Sequence, residues 1–116
     1  MHLNEYPTQI AQHRTQLLEF AQKICKARSI IQLCDHHIDY AIATDPSLKN
    51  DIQRKAVRFE MQSEEAYQTA ASALQFLQDQ QAQLEIFLEQ IQSEFTVLKL
   101  EKRAAIAQLE AQAAQR

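Results

Sequence analysis

The residue types best able to do chemistry sit together in Cys34-Asp35-His36-His37-Ile38-Asp39-Tyr40. On a helix, Cys34 and His37, or Asp35 and Asp39, are three or four residues apart and share a face at a spacing that suits metal ligation. The spacing fails on a wider view, because the set is splayed around the helix and no Cys or His elsewhere in the second half of the chain completes a shell. The expectation is no metal. Asp35 and Asp39 are expected instead to meet Arg54, Lys55 and Arg58 as exposed cross-helix ion pairs, each contributing only about 0.2–1 kcal/mol. Di-iron bundles need Glu-x-x-His pairs, and the sequence contains none. A chain with 0 Gly cannot form a Gly-rich phosphate loop, and no Ser or Cys stands in a nucleophile motif. The expectation is a protein that is not an enzyme, with no cofactor and no catalytic residue.

Composition points to long helices that must position these groups. The 116 residues include no Gly, no Trp and only 2 Pro, with 46% hydrophobic but 7% aromatic residues, which suits a narrow helical seam better than a broad core. Met1-His-Leu-Asn-Glu-Tyr-Pro has neither the basic start nor the apolar run of a signal peptide, and no apolar stretch is long enough to span a bilayer. A cytoplasmic protein without membrane contact is expected. Cys25 and Cys34 are nine residues apart, on opposite faces of a helix, and are expected to be free thiols.

Ala43-Thr-Asp-Pro-Ser-Leu-Lys-Asn-Asp51 is the clear interruption in this helical pattern. Asp45 has a capping side chain and Pro46 the fixed φ of a first helical position, which predicts helix one over about 7–44, a turn at about 45–50 and helix two from about 46 to 112. The fold predicted is all-α: a single-domain, antiparallel two-helix hairpin, or coiled coil, with a longer second helix that assembles into an oligomeric bundle.

Ile10, Leu17, Ile24, Ile31 and Ile38 recur every seven residues at one heptad position, a, with His13, Phe20, Ala27, Cys34 and Ala41 at d. His13 reads as a seam residue. Helix two carries its own stripe, Ile52, Ala56, Phe59, Ser63, Ala66, Ala70, Ala73 and Leu77, then Leu84, Leu88, Ile91, Phe95 and Leu98. Folding at Pro46 sets Ile31 opposite Phe59, Ile24 opposite Ala66 and Tyr67, and Leu17 opposite Ala73 and Leu74. At about 1.5 Å per residue helix one spans about 55 Å and helix two about 100 Å, so helix one ends opposite Gln83. Leu84, Leu88, Ile91, Phe95 and Leu98 are then left for a second chain, which predicts a homodimer or higher oligomer through these five residues. An antiparallel pair is expected, since Lys99, Lys102 and Arg103 then approach Glu85, Glu89 and Glu94. The alternative is a break near Ser93-Glu-Phe-Thr-Val97, where β-branched residues weaken the helix.

The net charge of −3 is unevenly spread. Between Phe59 and Leu98 there is no Lys or Arg against seven acids, while Lys49, Arg54, Lys55 and Arg58 cluster beside the turn. This basic tip is the candidate contact for nucleic acid. The acidic body repels a duplex laid along the helix, and no aromatic residues interleave with the tip. Two functions are therefore in view: a non-enzymatic adaptor or assembly protein binding itself and a protein partner, and a nucleic-acid-associated accessory protein acting through the tip.

Lys49-Asn50-Asp51-Ile52-Gln53-Arg54-Lys55-Ala56 resembles the Lys-Asn-x-x-x-Arg-x-Ala bend of small helical-hairpin proteins of phages and mobile elements. Leu48 stands where such proteins often carry Gly. The resemblance covers the octet and the general architecture. It implies an uncharacterised accessory protein, sometimes encoded near recombination genes, with no activity to carry over.

Overall fold

The computed structural model describes residues 1–115. It is 90% helical, and no strand occurs among the described residues. A 3-10 turn at Leu3–Glu5 leads directly into α1, Tyr6–Ala43; α2 follows at Asp51–Gln62 and α3 at Glu65–Ala114. The first helix therefore begins and ends within a residue of where its heptads and the turn place it. The expected second helix does not start at Pro46 and is not continuous.

Local hydrogen bonds explain the later start and accompany the break. Asp45 is occupied within the turn: its Oδ1 accepts from the Ser47 N–H at 2.9 Å and from Ser47 Oγ at 2.6 Å, and the Leu48 N–H reaches Asp45 O at 3.4 Å. An Asp two residues before a free N–H can close such a turn as readily as cap a helix. These bonds hold the Asp45 carboxyl below its ordinary pKa, the Ser47 hydroxyl contributing most. The cap belongs to Asn50: its backbone is extended and its side-chain Oδ1 accepts from the Gln53 N–H at 2.9 Å. Gln53 Oε1 in turn accepts from the Lys49 N–H at 2.7 Å, which satisfies a second donor at the helix entrance.

The break between α2 and α3 falls at Ser63-Glu64. Ser63 Oγ donates to Phe59 O at 2.7 Å, so that carbonyl accepts from the hydroxyl as well as from the Ser63 N–H at 3.0 Å. Such back-bonding by Ser competes with the helical ladder. The Gln68 side-chain amide then donates to Gln62 O at 2.7 Å, covering a carbonyl at the end of α2. At Ser93–Val97, by contrast, α3 is uninterrupted. Thr96 Oγ1 donates to Gln92 O at 3.0 Å within the helix, so its hydroxyl is satisfied without a break.

The chain forms two compact units, one of Met1–Leu18 with the chain from Ala82 on, the other of Glu19–Gln81. In the first, Tyr6, Ile10, Leu88 and Ile91 are buried, with Leu17, Phe95 and Leu98 packed against them. The Tyr6 and Phe95 rings stack at 5.4 Å, and His13 meets Phe87 edge-on at 5.1 Å. Here α1 and α3 run antiparallel, since an earlier residue of α1 meets a later one of α3. In the second unit Ile24, Ile38 and Ile42 are buried, while α2 turns Val57 and Met61 partly inward. Asp35 and Asp39 of α1 meet Tyr67 and Arg58 there, again antiparallel.

These pairings correct the expected register. The partner of Asp39 moves from about residue 51 to Arg58 and that of Tyr6 from about residue 84 to Glu94, so the shift is about seven residues beside the longer turn and about ten beyond the break at Ser63-Glu64. Phe59 is therefore not opposite Ile31 in a seam but 74% exposed, and Ile52 is 81% exposed. In α3, Tyr67 and Leu74 are half-buried in place of Ala66 and Ala73; from Leu77 on, the expected stripe holds.

Candidate functional site

The register decides which residues remain free to act. Of the five expected to form an oligomer interface, Leu88 is 7% and Ile91 3% exposed within the chain. Leu84 is half-buried, and Phe95 and Leu98 lie partly buried against the core of the first unit. Helix one does not run out at Gln83, because Tyr6 reaches Glu94 and Phe95, and so the reason for leaving this stripe to a second chain falls away.

The polar cluster in the middle of α1 is largely engaged. Asp35 Oδ1 accepts from Tyr67 Oη at 3.1 Å and from the Gln62 side chain at 3.5 Å. Asp39 pairs with Arg58. Desolvation, followed by the Asp35 carboxylate, raises the Tyr67 pKa above its ordinary value. His36 and His37 are exposed, Cys34 is half-buried and Cys25 exposed. No three His, Cys, Asp or Glu side chains converge as metal ligands among the described residues. The bonds of Asp35 and Asp39 tie α1 to Gln62 and Arg58 of α2 and to Tyr67 of α3.

At the tip, the four cations are not equivalent. Arg54 Nη1 lies 3.0 Å from Asp51 Oδ1, and Arg58 is paired with Asp39, so both carry a carboxylate beside them. Lys49 and Lys55 are exposed. The expected set of Lys49, Arg54, Lys55 and Arg58 thus gathers near one turn, but with half of its charge already countered.

A second stripe on α1 lies outside the seam that a and d define. Ile30, Leu33, His37 and Tyr40 stand at the g and c positions of the same repeat, and Ile30, Leu33 and Tyr40 are 54%, 63% and 72% exposed. The signal was present: large apolar residues at g and c, next to a seam already filled at a and d, mark a helix with two contact faces rather than one. In the first unit Ile86, Val97 and Leu100 are likewise exposed on α3. A shallow groove of roughly 400 Å³ lies between Pro7, Ile10 and Arg14 of α1 and Gln92, Phe95 and Thr96 of α3. No cluster of charged groups converges there.

No helix among the described residues is long and apolar enough to cross a membrane. No family model, no curated protein and no solved structure matches this chain.

Proposed function

We propose that this is a non-enzymatic assembly or adaptor protein that works through helix–helix contacts, binding a second copy of itself and a helical partner. The observation that carries the reading is uncovered surface. A folded monomer of 13.4 kDa is expected to expose about 6,500 Å², whereas this chain exposes 9023 Å². The excess of about 2,500 Å² is larger than the roughly 800 Å² that each partner contributes to a standard interface. Much of what is left open is large and apolar: Ile30, Leu33, Tyr40, Phe76, Ile86 and Val97 among others. Such surface is rarely left to water in a working protein.

Light scattering across about 1–100 µM tests the reading. The expected result is a mass of at least two chains that falls on dilution; one chain at every concentration overturns self-association. The rival reading, an accessory protein of a phage or mobile element that binds nucleic acid through the tip, draws on the bend resemblance and on Lys49 and Lys55. It has less support, because Arg54 and Arg58 have acidic neighbours. A salt-dependent shift of short DNA, lost when Arg54, Lys55 and Arg58 become Glu, would favour it.

A further inference from the structure

Beyond Leu98, α3 runs on without a neighbour. Tyr6, the first residue of α1, already meets Glu94 and Phe95, and only the 3-10 turn at Leu3–Glu5 precedes it. From Lys99 on, every described residue of α3 is exposed. The helix still continues to Ala114, sustained by an Ala-rich sequence of high helix propensity.

The face that α1 covers goes on along this free end. Ile106 and Leu109 stand eleven residues, or three turns, after Phe95 and Leu98, and they are 46% and 64% exposed. Lys102 and Ala113 lie on the same line, eleven and twenty-two residues after Ile91. A helix laid on this line has to stop near Lys99, because α1 occupies the line from Leu98 back. A second α3 placed parallel and in register would run into α1. Placed antiparallel it does not. With Ile106 of each copy against Leu109 of the other, Lys102 faces Ala113 and Glu101 faces Ala114, so the overlap stops where α3 stops.

We infer that a second copy of this chain docks there, the free ends of two α3 helices packing antiparallel as a continuation of each copy's own seam between α1 and α3. The contact is isologous and closes at two chains. Charge agrees with the direction. The stretch Glu101–Ala114 carries two acids, Glu101 and Glu110, and two bases, Lys102 and Arg103. Arg103 and Glu110 are seven residues apart and share one side of the helix, so antiparallel docking sets Glu110 within about one turn of Lys102 and Arg103 of the other copy, twice over by symmetry. Glu101 lies on the other side, against Ala114. Lys99 is drawn back over the Phe95 ring, its Nζ 4.4 Å from the centre, and Arg116 lies beyond the described residues. Balanced charge gives a nucleic acid or an anionic membrane nothing to select on this face. Ala113 leaves room for the Lys102 stem, and a single polar residue in such a seam fixes its register. The overlap is about 20 Å long, so the dimer is weak and dissociates on dilution.

This inference rests on the self-association proposed above and adds its place and direction. Full-length protein is compared by light scattering at about 100 µM as wild type and as Ile106→Glu/Leu109→Glu. Both changed side chains are exposed in the single chain, so the helical circular dichroism of dilute protein should stay the same. The expected result is two chains for wild type and one for the variant. Arg103→Glu and Glu110→Arg singly should each raise the dimer Kd about twofold to tenfold, and the double variant should recover most of the loss. Direction is read by disulfide trapping in a Cys25→Ala/Cys34→Ala background: mixing Lys102→Cys with Ala113→Cys protein should give the mixed disulfide in preference to either like pair. Wild type and Ile106→Glu/Leu109→Glu both running as dimers would overturn this place of contact while leaving self-association intact. A preference for like pairs would overturn the antiparallel direction. Wild type running as one chain would overturn both this inference and the self-association on which it rests.

Discussion

Tyr6 Oη donates to Glu94 Oε2 at 3.2 Å, a contact between residues 88 apart in the sequence. It fixes the first turn of α1 against the stretch of α3 that the sequence alone leaves without a partner. Replacing Ile91, 3% exposed beside this contact, with Ala should cost about 2–5 kcal/mol of unfolding free energy. Phe59→Ala, at a position 74% exposed, should stay within about 0.5 kcal/mol. Urea denaturation of the two variants at a concentration low enough to give single chains measures the difference. Equal losses would mean that the register is wrong.

Alkaline pH should loosen the same contacts. Desolvation and the neighbouring carboxylates, Glu94 for Tyr6 and Asp35 for Tyr67, raise both tyrosines above the ordinary value of 10.0. A group whose pKa is raised by folding contributes its stability fully below the unfolded value and loses it as pH climbs through the folded one. Thermal melts should therefore be flat between pH 7 and 9 and fall above about pH 10. Tyr6→Phe/Tyr67→Phe protein should fall less steeply; an unchanged slope would count against both contacts.

Asn50→Ala should remove the cap of α2 and cost about 0.5–2 kcal/mol. The effect should be local. Amide exchange should quicken first in Gln53 and Arg54, whose N–H groups bond to Asn50 Oδ1 and O. The same substitution at Asp45 should leave those amides as they were, because Asp45 holds only the turn.

The Asp39–Arg58 pair is 59% and 39% exposed at its two side chains, so solvent weakens it. A double-mutant cycle of Asp39→Ala and Arg58→Ala should give a coupling of about 0.2–1 kcal/mol, shrinking in molar salt. Its value lies in register. A coupling of zero in low salt would mean that the pair adds nothing to holding α2 against α1.

The parts of this fold legible in the sequence were those governed by repetition. Five aliphatic residues at one heptad position defined the inward face of α1, and Ile10, Ile24 and Ile38 are indeed buried. The turn was legible in place but not in extent. Asp45-Pro46 can open a helix or close a turn with the same atoms, and only the competition from Asn50 and Gln53, a capping pair three residues apart, decides between them. Because antiparallel helices transmit any change of connection length to every pair beyond it, the longer turn together with the break at Ser63-Glu64 puts Leu88 and Ile91 in the core and not at the expected interface. The break at Ser63-Glu64 had no Gly or Pro to announce it, and the hydroxyl that turns back to Phe59 O does not mark it either, since Thr15, Ser29 and Thr96 make the same bond inside unbroken helices. The second stripe at Ile30, Leu33 and Tyr40 was written plainly in the heptad. A seam filled at a and d accounts for α1 without it, so the heptad alone gives it no role.

The turn at Asp45–Asn50 also sets an order of assembly. Asp39 and Arg58 are separated by 19 residues and Tyr6 and Glu94 by 88, so closing the second loop directly costs about 1.4 kcal/mol more in chain entropy. Contacts beside the turn form first, and each one shortens the loop that the next must close. Folding then proceeds like a zipper from the Asn50 cap towards Tyr6, and unfolding begins at the chain ends. Asn50→Ala should on this account slow refolding, whereas Ile91→Ala should mainly quicken unfolding.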